Sequence, residues 1–162
     1  MKHPQLLKLI ALGACLSGTS VMAAEEVTNL NVNAFVADSC TVIAGTALSF
    51  ATVDTSSDAS QVTPGVITVV CTSSRTGMTV SLGSGGQASS GVRYMSDGGS
   101  NTIPYKLHSD IAHANEVAID GNVFSGNAAP AIPVIIPVYG QIPAGNYATG
   151  SYSDSIVVTL TH

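Results

Sequence analysis

Tryptophan is absent from this 162-residue chain, aromatic residues are 5% of it, and charged residues are only 9%. The missing aromatics argue against a cofactor pocket lined by rings. The five Lys+Arg against ten Asp+Glu leave no basic patch, which excludes nucleic-acid binding through phosphate neutralisation. Low charge does not mean disorder here. Disordered chains combine low hydrophobicity with high charge, whereas this one is 45% hydrophobic. Its length suits one domain of ordinary size.

Residues 1–23 read as a secretory signal peptide. Lys2, His3 and Lys8 give a positive start, and Leu9 to Leu16 is an apolar run too short to span a bilayer. Val21-Met22-Ala23 places permitted residues before a cut after Ala23, with Ala24 as the neighbouring alternative. Leu12-Gly13-Ala14-Cys15 also fits a lipobox, in which Cys15 becomes a lipidated N-terminus, but the later site is better spaced. No later segment is apolar for long enough to insert in a membrane. Without residues 1–23 the chain keeps three cations (Arg75, Arg93, Lys106) against all ten acids, a net charge of −7. It keeps two cysteines, Cys40 and Cys71. In an exported chain, two cysteines without metal-ligand spacing read as one disulfide.

Short strand signals recur between Gly, Ser, Asn and Asp. Leu30, Val32, Ala34 and Val36 alternate with more polar neighbours, as do Leu48 and Phe50. Val66 to Cys71 is β-branched, and Met78 to Leu82 alternates strictly. Val92 to Met95 and Ile103 to His108 are further candidates. Ile132 to Tyr139 is apolar but contains Pro133 and Pro137, which suits an edge or interrupted strand. Ser155 to His162 puts Ile156, Val158 and Leu160 on one face and Val157, Thr159 and Thr161 on the other. Helical periodicity is weak everywhere, with Ile111 to Ile119 the best attempt. This pattern predicts an all-β antiparallel sandwich. The closing strand has no polar tail, so its far edge is free for another chain.

The inventory for catalysis is thin. His108-Ser109-Asp110 places the residue types of a triad side by side without triad geometry, and these side chains read as solvated loop residues. Asp97-Gly98-Gly99 and Asp120-Gly121-Asn122 lack the further carboxylates of a calcium loop. Gly83 to Gly86 has no following Lys-Ser/Thr. No enzyme, metal or cofactor is expected.

The segment from Ile136 to Leu160, with its Gly145-Asn146-Tyr147, Gly150-Ser151-Tyr152 and Asp154-Ser155-Ile156-Val157-Val158 runs, resembles the end of the spore coat protein U domain family. That family includes subunits of archaic chaperone–usher pili. Cys40-Thr41-Val42, Leu48-Ser49-Phe50, Gly65 to Thr72, Arg93-Tyr94-Met95 and Pro104-Tyr105-Lys106-Leu107 agree in order. His162 stands where the family often ends in Tyr or Phe.

The resemblance implies an immunoglobulin-like sandwich lacking its seventh strand, which is supplied in trans. It divides the chain into the signal peptide, an N-terminal extension over 24–39 and a domain over 40–162. It implies a fimbrial subunit supporting adhesion and biofilm, exported to the periplasm and then displayed at the cell surface. The implied partners are a periplasmic chaperone, an outer-membrane usher, and copies of itself or related subunits. The extension's donor positions are Leu30, Val32, Ala34 and Val36. The acceptor strand carries Ile156, Val158, Leu160 and the terminal carboxylate of His162. Two alternatives stand beside this. Residues 30–36 could be the domain's own first strand, and the protein could be a non-polymerising coat protein or an adhesin-type binding module.

Overall fold

A computed structural model describes residues 31–35, 37–56 and 58–162. The chain divides into two units, Met1–Phe35 and Val36–His162. In the first unit the described residues 31–35 form no strand. Residues 1–30, which include the expected signal peptide, Cys15 and Leu30, lie outside the described residues, as does Val36.

The second unit has eight strands and, among its described residues, no helix. They are β1 (Cys40–Ala44), β2 (Gln61–Cys71), β3 (Arg75–Leu82), β4 (Arg93–Ser96), β5 (Thr102–His108), β6 (Gly121–Ala128), β7 (Val134–Ile142) and β8 (Val158–Thr161). They form two antiparallel sheets, ordered β1-β2-β7-β5-β4 and β6-β3-β8. Alternation along each strand sends one set of side chains inward. Ile67 and Val69 of β2, Ile136 and Val138 of β7, and Tyr105 and Leu107 of β5 are buried from the larger sheet. Met78, Val80 and Leu82 of β3 are buried from the smaller one.

Several elements differ from the sequence reading. β7 is central, between β2 and β5, and not an edge strand. Its one proline, Pro137, is tolerated because of where the missing N–H would point, and Pro133 lies before the strand. Val66 donates its N–H to Thr46, on the β1 side of β2. Its partner Pro137 therefore lacks a donor only on the opposite side of β7, towards β5. Pairing with β5 extends only to Tyr139, so no ladder bond is lost. Pro64 of β2 likewise lies beyond the stretch paired with β1.

β6 has no sequence signal. Gly121-Asn122-Val123-Phe124-Ser125-Gly126-Asn127-Ala128 carries few apolar residues, and pairing with β3, with two register shifts, holds it in place. Leu48 to Phe50 forms no strand, nor Ile111 to Ile119 a helix. The closing strand begins only at Val158. His108 is not a solvated loop residue: it ends β5 and is 3% exposed.

Cys40 and Cys71 face each other across β1 and β2 and are joined as a disulfide, with S–S 2.06 Å. Thr72 N–H donates to Ser39 O at 2.9 Å and Ser39 N–H to the Thr72 hydroxyl at 2.9 Å, which continues the seam. Arg75 pairs with Asp38 at 2.5 Å just beyond it. At the opposite end of the core, the buried Arg93 guanidinium donates to the carbonyls of Leu82, Gly83, Val117 and Ala118 at 2.7–2.9 Å. It ties the end of β3 to the loop before β6.

The disulfide joins an outer strand across 31 positions, and the chain-entropy argument gives such a loop about 3–4 kcal/mol. A Cys40→Ser/Cys71→Ser variant should lose that much in urea unfolding. Reductant should shift the wild-type midpoint and leave the variant's unchanged.

Candidate functional site

Two segments without strand structure run along one side of the core, residues 45–50 after β1 and residues 151–157 before β8. The first is laid onto the larger sheet by local chemistry. Gly45 N–H donates to Val66 O at 2.9 Å, and the buried Thr63 hydroxyl donates to Ser49 O at 2.9 Å. Two glycines in the underlying strands leave room for the side chains above. A Cβ on Gly65 would stand 3.0 Å from Leu48 Cδ2, and one on Gly140 would stand 2.8 Å from Phe50 Cζ.

The second segment is held by a short repeated device. In Gly145-Asn146-Tyr147 and again in Gly150-Ser151-Tyr152, the tyrosine hydroxyl donates to the carbonyl four residues back. Tyr147 reaches Pro143 O and Tyr152 reaches Ala148 O, both at 2.8 Å. A Cβ on Gly145 would sit 2.7 Å from the Tyr147 ring, so the glycine makes way for it. Ser153 then exchanges two 3.0 Å backbone bonds with Ser96. Asp154 follows, and its carboxylate accepts from Tyr105 OH at 2.5 Å, Gly86 N–H at 2.8 Å and its neighbour Ser155 N–H at 2.8 Å. Gly83 N–H donates to Val157 O at 2.9 Å, which leads the chain into β8 alongside β3.

Between these flanks lies a groove of about 490 Å³. Ile67, Leu82, Leu107 and Val138 form its floor, and Leu48 and Ile156 stand on opposite walls. A second cavity of about 580 Å³ adjoins it, over Met95, Ile103 and Ile142. β8 pairs with β3 on one side and is the last strand of its sheet, so among the described residues no strand pairs with its other edge. Ile156, Val158 and Leu160 are half-buried and packed against the core, while Val157 between them is 71% exposed. The arrangement can take apolar side chains at every second position of an extended chain and pair with its backbone. Among the described residues no three His, Cys, Asp or Glu side chains gather as metal ligands.

The residues singled out from sequence divide clearly. Ile156, Val158 and Leu160 share the expected face, and His162 is exposed at the chain end. Val32 is 84% exposed and Ala34 is exposed as well, while Leu30 and Val36 lie outside the described residues. Sequence reasoning missed the opposite wall. The alternation of Leu48 and Phe50 predicts a strand, and the structure makes them a wall instead. Also missed was Asp154, whose Ser-Asp-Ser setting reads as a turn.

The Spore Coat Protein U domain matches residues 26–159. No curated protein matches the chain. Among solved structures, the chain is similar to one chain of the crystal structure of the CsuC–CsuE chaperone–tip adhesion subunit pre-assembly complex from archaic chaperone–usher Csu pili of Acinetobacter baumannii. The TM-score is 0.56 at 16% identity, over 78% of this chain and 40% of that one. This chain thus spans less than half the length of its solved counterpart. At that identity the likeness is one of fold: an immunoglobulin-like antiparallel sandwich, incomplete at the open edge.

Burial, and then the hydrogen bond to Asp154, push the Tyr105 phenol above its usual pKa. A pKa raised in the folded state gives stability that is fully present below the unfolded value of about 10 and lost as pH rises beyond it. Tyr105→Phe should therefore lower stability by about 1.5–3 kcal/mol at neutral pH and flatten the alkaline decline. Tyr147, also raised by burial, leaves a residual slope. Urea unfolding of both proteins from neutral to alkaline pH checks this, and parallel declines would contradict it.

Proposed function

Because the chain belongs to the Spore Coat Protein U domain family, we propose that it is a structural subunit of a surface pilus assembled by donor-strand exchange. The observation that carries this reading is the groove beside the open edge of β8, floored by the core's own side chains. The walls of the groove, Leu48, Phe50 and Ile156, are only partly buried, and an extended strand laid beside β8 would cover them.

In this reading residues 1–23 direct export, and the domain over 40–162 enters the periplasm with its groove unfilled. A chaperone lends a strand first and holds the carboxylate of His162. At an outer-membrane usher, the extension over 24–39 of the next subunit takes its place. Strand addition of this kind is the established mode of chaperone–pilin pairing. Leu30, Val32, Ala34 and Val36 enter the groove, and Ile156, Val158 and Leu160 line the strand that receives them. Each large side chain buried contributes roughly 1.5–3 kcal/mol, so the apolar face supplies several kcal/mol before backbone bonds are counted. The resulting fibre serves adhesion and biofilm formation. Residues 31–35 form no strand and Phe35 is 93% exposed, which favours action in trans over a role as the domain's first strand.

Replacing Val32 with Asp places an unpaired carboxylate in the neighbour's groove, at a cost of several kcal/mol. The variant should still fold, oxidise and co-purify with the chaperone, yet leave no fibres on the cell surface by electron microscopy. Asn31→Asp, on the opposite face, should assemble normally. Loss of the chaperone complex in Val32→Asp would instead assign residues 30–36 to the domain's own core.

A further inference from the structure

We propose that His108 and His113 form a binding site for a divalent metal ion of the zinc–copper class, on the outer face of the five-stranded sheet. β5 alternates, with Ile103, Tyr105 and Leu107 inward, so His108 points outward. It is nonetheless 3% exposed, because residues 109–116 fold across it. Ser109 N–H donates to Asn115 O at 3.1 Å, and Val117 N–H donates to Leu107 O at 2.7 Å. His113, at a positive φ of 57°, carries its ring to 5.1 Å from that of His108 and 6.1 Å from that of Tyr139.

The hydrogen bonding leaves two nitrogens unused. Gln141 Oε1 lies 3.2 Å from His108 Nε2. An amide oxygen only accepts, so Nε2 carries the hydrogen and Nδ1 presents a lone pair. That Nδ1 is buried without a partner, and so is Nε2 of His113. The acids of this segment are committed elsewhere. Asp110 accepts from Ala114 N–H at 3.0 Å and Asn115 N–H at 2.7 Å, and Glu116 pairs with Lys106 at 2.7 Å.

Neutral imidazole with its second nitrogen fixed by a hydrogen bond is the form that binds metal. Two imidazoles sharing one tetrahedral ion at about 2.0–2.1 Å hold their ring centroids about 5 Å apart, as these rings are. Imidazole suits zinc and copper over calcium or magnesium. The two imidazoles supply two of the ion's coordination positions.

The test is ZnCl2 titrated into untagged, chelator-stripped full-length protein by calorimetry, with nitrogen-15 NMR of the histidines. The expected result is one ion per chain, with ligation shifts at His108 Nδ1 and His113 Nε2. His113→Ala should weaken binding at least tenfold while the metal-free protein keeps its cooperative unfolding. Gln141→Leu, which frees the His108 tautomer, should weaken it about 10–100-fold. His162→Ala should bind as wild type. Equal affinity in His113→Ala, absence of binding, or shifts confined to His162 would each overturn the assignment.

Discussion

Among the described residues no strand pairs with the outer edge of β8, and the apolar side chains beside that edge, Leu48, Phe50 and Ile156, are only partly buried. Backbone polar groups and buried-type side chains both demand a partner. Much of the remaining structure keeps this place open and in shape. Gly65 and Gly140 let Leu48 and Phe50 lie low on the sheet instead of spreading into the gap. Tyr147, Tyr152 and Asp154 brace the opposite flank through hydrogen bonds that do not cross the groove. The flanks are thus fixed separately, so in the proposed exchange an incoming strand would meet a preformed site with little ordering left to do.

A frame with an unfilled side has to be held from its other ends. The Cys40–Cys71 disulfide secures β1 and so fixes where residues 45–50 begin. Arg93 does the corresponding work at the far end, where its guanidinium joins four carbonyls of two connecting segments. The low charge of the chain fits the same design. The groove floor carries no charge, and an acceptor for an apolar strand would be spoiled by one.

Much of this was legible in the sequence because it depends on alternation. Val66 to Cys71, Met78 to Leu82 and the Ile156-Val158-Leu160 face follow from a period of two, and the disulfide follows from two cysteines in a chain whose start reads as a signal peptide. What was not legible depends on neighbours distant in sequence. β6 is held by pairing with β3 and not by its own composition. β7 is central although it contains Pro137, since the direction of the missing N–H is set by strands the sequence does not place. His108 closes the strand candidate Ile103 to His108 but reads as solvated, because nothing local announces that residues 109–116 will cover it. Leu48 and Phe50 alternate as a strand does, yet they form a groove wall, seated over Gly65 and Gly140 of strands distant in sequence.

The most direct measurement is disulfide trapping between subunits in assembled fibres. A variant carrying Ala34→Cys and Ile156→Cys joins the proposed donor face to the proposed acceptor wall. The account predicts a ladder of covalent oligomers on non-reducing gels of purified fibres, absent from either single variant. Cross-linked monomer without a ladder would place residues 30–36 in their own domain's groove and contradict the central claim.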